Sequence, residues 1–175
     1  YRQETTAGKK TMSLQDQLTT MRGEAAKRIP AGVLSEMLSA TEELRNSGIM
    51  ETTIKPGDKF PAFKLKNQHG IDVRSEDLLS NGNIVLTIFR GHWWPYCNAE
   101  LYALQNVLDQ IKSENTTLVA LSPQTEDFNF KMIESHCLEF DILTDPGNAY
   151  AAKLGLRFEV PGNIREIYED FKINL

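Results

Sequence analysis

The stretch "IVLTIFRGHWWPYCNAELYALQ", Ile84 to Gln105, decides how this chain folds. Its opening run, Ile84 to Phe89, is apolar and rich in β-branched side chains, the composition of a central strand covered on both faces. Downstream, from about Asn98, Leu101, Leu104, Leu108 and Ile111 recur on one side of a helix. Cys97 therefore lies just past the carboxyl end of a strand and at the amino end of the next helix, the crevice where open α/β sheets usually carry out their chemistry. Unpaired N–H groups and the positive end of the helix dipole favour thiolate over thiol at such a point. Arg90 and His92 add positive charge from the same loop, and Glu100, one turn into the helix, opposes them unless it caps. Two readings of Cys97 stand: a redox-active or nucleophilic thiol, which its placement favours, and a buried free cysteine.

Outward from this unit the same alternation continues. "TLVALS" reads as a strand, Thr125 to His136 as a helix, "FDIL" as a strand and "NAYAAKLGL" as a helix. Such order predicts α/β layering with parallel neighbours and right-handed crossovers. Upstream, Phe63, Leu65, Ile71 and Val73 alternate with polar residues around an "NQHG" turn, as in a hairpin with one buried face. Earlier still, Leu14, Leu18, Met21 and Ala25 share one helix face, and Ser13 with Asp16 resembles a capping box. Pro30 closes that helix and starts another, whose stripe is Val33, Leu34, Met37, Leu38 and Leu44, with Gly48 at the C-cap position. The expected organisation is a disordered or expression-derived arm over 1–12, a helical hairpin over 13–49 serving packing or dimerisation, and an α/β domain over 50–175.

Composition narrows the function. A net charge of −5 without a basic block disfavours nucleic-acid binding, which rests on clustered Lys and Arg. No apolar run approaches the roughly 20 residues that cross a bilayer, and no secretory leader is written, so a cytoplasmic protein with no membrane association is expected. Cys97 and Cys137 lack zinc-ligand spacing with the histidines. No metal and no dissolved cofactor are expected, and His69, His92 and His136 read as surface or helix-end residues. Trp93, Trp94 and Tyr96 are either walls of an apolar substrate pocket or a lid packed on the N-terminal hairpin. Cys137 faces no predicted crevice, and pairing with Cys97 would need their Cα atoms within about 7 Å. Asp145, Pro146 and Gly147 form a turn that opens a helix.

Three motifs, "PGDKFPAFKL", "IVLTIFRGHWWPYCNAELYALQ" and "FDILTDPGNAYAAKLGL", in this order and at these separations, resemble the thioredoxin-like peroxiredoxins of the alkyl hydroperoxide reductase and thiol-specific antioxidant type. The chain is most similar to the branch with a helical N-terminal hairpin and a "RGGWCPYCN" loop, and the likeness runs from Ser13 to Leu175. It implies a thioredoxin-like fold, a central mixed sheet flanked by helices. It also implies an antioxidant enzyme that reduces hydrogen peroxide or organic hydroperoxides through a cysteine sulfenic acid. An external thiol, from thioredoxin, glutaredoxin or glutathione, then reduces that acid. Cys97 matches the attacking cysteine, and Arg90, Trp93, Trp94 and Pro95 are the candidate pocket residues.

The chain departs from the family in two places. Where these enzymes read Pro-x-x-x-Thr-x-x-Cys, this chain has Arg90 and Trp94. The "RGGWCPYCN" branch has cysteine where Trp94 stands, and an indole N–H is a donor without an acceptor lone pair. After "KLGL" the family continues to strands that "PGNIREIYEDFKINL" does not supply, although Pro161 opens a helix with Ile164, Ile167, Tyr168 and Phe171 on one face. The C-terminal strands are expected to be missing: either the sequence is a fragment, incomplete at its C-terminus, or a partner chain such as a homodimer mate covers the apolar surface left exposed. Three functions fit: a one-cysteine thiol-dependent peroxidase with a depressed Cys97 pKa, a thiol-disulfide exchange enzyme, and a degenerate or truncated redoxin without peroxidase activity.

Overall fold

The computed structural model describes residues 12–173, so the arm expected over 1–12 falls outside the described residues except for Met12. The chain begins with α1 (Leu14–Arg28), where Ser13 Oγ accepts the Asp16 N–H at 3.2 Å. The Asp16 carboxylate accepts the Ser13 hydroxyl, so the cap is a variant of the expected box. Pro30 then caps α2 (Ala31–Asn46), and Gly48, with φ +84°, turns the chain into a short α3 (Ile49–Thr52) instead of ending the helical region. The hairpin of β1 (Lys64–Lys66) and β2 (Asp72–Arg74) follows, its turn tied by the Asn67 side chain to the His69 and Ile71 amides. Phe63 is buried there and Leu65 and Val73 pack beside it, but Ile71, expected inward, is 60% exposed on the turn.

A short helix not read from the sequence, α4 (Ser75–Ser80), comes next, and the remainder alternates as expected: β3 (Asn83–Ile88), α5 (Pro95–Asn106), α6 (Leu108–Ser113), β4 (Thr116–Ser122), α7 (Glu126–His136), β5 (Asp141–Thr144), a 3-10 turn (Pro146–Asn148), α8 (Ala149–Lys153) and α9 (Gly162–Asp170). The single helix expected after Cys97 breaks at Val107, whose φ of −112° is not helical. Strand order is β2-β1-β5-β4-β3, with β3, β4 and β5 parallel and β1 antiparallel to both its neighbours. This is a thioredoxin-like fold, a mixed sheet flanked by helices and preceded by N-terminal helices.

The run Ile84 to Phe89 is not a central strand. It pairs with β4 alone and forms the edge of the sheet, with Val85 39% exposed. Apolar composition reports what covers the two faces of a strand and carries no information about its hydrogen-bonding sides. Here Ile84, Leu86 and Ile88 pack with Val119, Leu121 and Leu143 on one face. Thr87, pointing the other way, meets Glu100 of α5. Among the described residues, no strand follows β5.

Strand β4 divides the core because successive side chains point to opposite faces. Leu118 and Ala120 join Phe89, Cys97, Leu101, Leu108 and Met132 on the α5, α6 and α7 side. Val119 and Leu121 join Phe63, Leu143, Tyr150 and Leu154 on the other. A smaller third cluster sets Ile164, Ile167 and Tyr168 of α9 against Val33, Met37 and Ala40 of α2, and against Trp93 and Trp94. The two N-terminal helices pack on separate elements of the same chain, α1 against α5 and α2 against α9, and not on one another as the expected hairpin would. No helix among the described residues is long and apolar enough to cross a membrane.

Candidate active site

Beyond β3 the chain runs through Phe89, whose N–H donates to the Leu121 carbonyl at 3.0 Å and carries the sheet register up to the loop. Gly91 follows with φ +150°, and the Trp93 indole closes over it: a β-carbon at Gly91 would lie 2.7 Å from Trp93 Nε1. Only glycine permits that approach. Trp94 bonds back to Gly91 and occupies the N-cap of α5, with Pro95 exposed as the first helical residue. Pro95 suits that position because its missing N–H would have had no helical partner. The helix therefore opens three residues before its apolar period shows, and Cys97, 7% exposed, sits inside the first turn.

The thiol is not held below its ordinary pKa. Burial pushes the Cys97 thiol up; the backbone of Arg90 and Gly91 and the Arg90 charge pull it down, and Glu100 adds an upward push. This reverses the expectation drawn from the helix end. The reason is burial: Cys97 is packed with Phe89, Leu101 and Leu118 in the core on the α5 side of the sheet. Desolvation, which disfavours the charged form, then prevails.

Arg90 is neither a solvated strand-end residue nor free. Its guanidinium carbon lies 4.8 Å from the ring centre of Trp93, 4.7 Å from Trp94 and 5.4 Å from Tyr168, within the range of cation–π attraction. Its Nη1 also donates to the Tyr168 hydroxyl at 3.1 Å. Trp93 and Trp94 meet edge-on at 5.5 Å, and Trp94 packs against the cluster that contains Cys97. Both tryptophans also pack against Ile164, Ile167 and Tyr168 of α9, a partner that neither expectation for them supplies. Tyr168 was legible only as one member of an apolar helix face; nothing local marks the partner of its hydroxyl.

A chain of side-chain amides fixes the rest of the loop. The His92 N–H donates to Gln124 Oε1 at 2.9 Å, Gln124 Nε2 to Asn129 Oδ1 at 2.7 Å, and Asn129 Nδ2 to Thr144 Oγ1 at 2.9 Å. The His92 ring stacks on Phe128 at 4.6 Å, where Gln124 also reaches its Nδ1. Cys137 is exposed at the end of α7 with φ +50°, at the helix-to-strand passage read from the sequence. The buried Asp145 carboxylate accepts the Tyr150 and Ala151 N–H groups and caps α8, a structural role as expected. A cleft of about 450 Å³, lined by Thr116, Leu118, Phe140 and Asp141 among others, opens at the amino ends of β4 and β5, the end of the sheet away from the loop.

The site is a cysteine in the first turn of the helix that follows a parallel strand, set on a thioredoxin-like sheet. Residues 56–169 match the AhpC/TSA family, and the chain belongs to it. A peroxiredoxin of Methanococcus maripaludis is 31% identical over 114 residues, 61% of this chain and 52% of that protein. A peroxiredoxin of Thermotoga maritima is 28% identical over 116 residues, 57% of this chain and 49% of that protein. The chain thus spans about half the length of these curated relatives. Peroxidoxin BcpB from Mycobacterium tuberculosis superposes with a TM-score of 0.59 at 25% identity, over 62% of this chain and 71% of that one. Peroxiredoxin Q of Xanthomonas campestris, at 14% identity and a TM-score of 0.53, covers 62% of this chain and 67% of its own, and shares the fold.

Proposed function

We propose that this chain is a thiol-dependent peroxidase that reduces hydrogen peroxide or an organic hydroperoxide through Cys97. The observation that carries this reading is the placement of Cys97 in the first turn of α5, beside a loop whose Arg90 is held by three aromatic rings. In the reaction the Cys97 thiolate attacks one peroxide oxygen and the O–O bond breaks. The leaving oxygen departs as water or an alcohol after taking a proton, and the sulfur is left as a sulfenic acid. The sulfur loses two electrons and the peroxide gains them. Arg90 supplies the positive charge that stabilises the oxygen on which negative charge develops. Trp93, Trp94 and Pro95 wall the approach, and peroxide binding falls to Arg90 and backbone groups in place of a threonine hydroxyl.

An external thiol then condenses with the sulfenic acid, releasing water, and a second thiol frees reduced Cys97 as a disulfide forms. Thioredoxin, glutaredoxin or glutathione would fill that role. Chemistry that ends in small or protein thiols suits a reducing compartment, so we place the protein in the cytoplasm. The upward push of burial on Cys97 favours a second reading, a redoxin retained without peroxidase activity.

One equivalent of hydrogen peroxide added to the reduced protein with a sulfenic-acid trap separates the two, with peptide mass spectrometry and a Cys97→Ser control. Rapid, stoichiometric labelling confined to Cys97 is expected. Slow labelling, equal at Cys97 and Cys137, would overturn the peroxidase reading.

A further inference from the structure

We infer that Tyr168, delivered by α9, is a positioning residue that holds the Arg90 guanidinium in place for Cys97. The inference rests on the reading of Cys97 as the reacting thiol. Arginine is long and loses considerable rotamer freedom when ordered, so a charge meant to act at one atom needs a holder. Tyr168 provides two restraints: its ring stands 5.4 Å from the guanidinium carbon, and its hydroxyl accepts Nη1 at 3.1 Å. That bond uses one of the guanidinium donors and leaves the others for a thiolate or a peroxide oxygen.

Tyr168 is itself held. It is 5% exposed, lies 5.7 Å from the Trp93 ring and 6.2 Å from that of Trp94, and shares a cluster with Ile164 and Ile167. Those isoleucines pack on Val33, Met37 and Ala40 of α2. A line of support therefore runs from α2 through α9 to Arg90, which assigns α2 and the last described helix a part in the site. A tyrosine needed only for packing would be replaceable by phenylalanine without effect on the thiol.

The test is the pH dependence of Cys97 alkylation by iodoacetamide, in a Cys137→Ser background so that one thiol is read. Tyr168→Phe, Arg90→Met and the double variant are compared with the parent. Each single change is expected to move the midpoint to higher pH with the high-pH plateau unchanged. At about pH 7 the rate is expected to fall about threefold in Tyr168→Phe and about tenfold in Arg90→Met, and the double variant is expected to match Arg90→Met, as coupled residues do. Arg90→Lys, which keeps the charge but loses the planar fork, is expected to fall between the parent and Arg90→Met. An unmoved midpoint in Tyr168→Phe, or a further threefold loss when it is added to Arg90→Met, would overturn the inference. Alkylation reads the thiol whether or not peroxide is consumed. Coupling that persists in a protein inert to peroxide would sink the peroxidase reading and leave the positioning role standing.

Discussion

Thr87 on β3 donates its hydroxyl to Glu100 Oε1 across 3.1 Å, which fixes a carboxylate one helical turn beyond Cys97. From there its charge pushes the thiol away from ionisation. Replacing Glu100 by Gln keeps an oxygen for Thr87 and removes the charge. The Cys97 thiolate then becomes more populated, and alkylation at about pH 7 is expected to accelerate severalfold, since like charges nearby disfavour the charged form. The sign follows from the removed repulsion, and a slower reaction in Glu100→Gln would contradict it.

Asn129 is fully buried and bonded on both sides, accepting from Gln124 and donating to Thr144. Asn129→Ala leaves both partners without their bond in the interior. A loss of about 2 kcal/mol in urea unfolding is expected, the cost of stranding buried polar groups. Because Gln124 also holds the His92 amide, hydrogen exchange at His92 is expected to quicken in the same variant.

Two glycines with similar backbones separate steric cost from conformational cost. Gly155 has φ +72°, and a β-carbon there would fall 2.1 Å from the Thr52 carbonyl oxygen; Gly147 has φ +64° with nothing within 4 Å. Gly147→Ala is expected to cost about 1 kcal/mol for its left-handed backbone alone. Gly155→Ala must also displace the segment after α3 and is expected to cost well over 2 kcal/mol in urea unfolding. Equal losses would show that the Thr52 contact yields freely.

Tyr150 donates its hydroxyl to the Pro61 carbonyl at 2.5 Å, and burial, aided by the Asp145 charge, pushes its pKa up from 10.0 to about 12. The neutral phenol is the form the fold prefers. Its contribution is therefore whole below the unfolded pKa of 10.0 and is lost as pH rises toward about 12, because the unfolded chain releases the proton first. Urea midpoints are expected to decline across that window in the parent, and Tyr150→Phe, which has no proton to lose, is expected to decline less.

The fold was largely legible because its signals are local. Alternation of periods gave the element order, Ser13 and Pro30 marked helix ends, and the loop from Arg90 to Pro95 put Cys97 at the mouth of α5. The reading failed where an outcome depends on residues far apart in the chain. Pairing partners decide whether Ile84 to Phe89 is central or an edge, and the composition of the strand is silent on them. Arg90 meets Tyr168 only because α9 returns across the loop. The direction of the Cys97 shift turned on burial among Phe89, Leu101 and Leu118, which the order of the chain does not display.

The chain contains two tryptophans, and they are the pair that flanks Arg90. Every photon of indole fluorescence therefore originates at one place, from rings 5.5 Å apart that both pack on α9, with Trp94 also against the Cys97 cluster. The protein carries its own optical probe. Oxidation of the sulfur, departure of the guanidinium or detachment of α9 each alters the surroundings of the same two chromophores, so emission recorded during a peroxide pulse follows the site without a label.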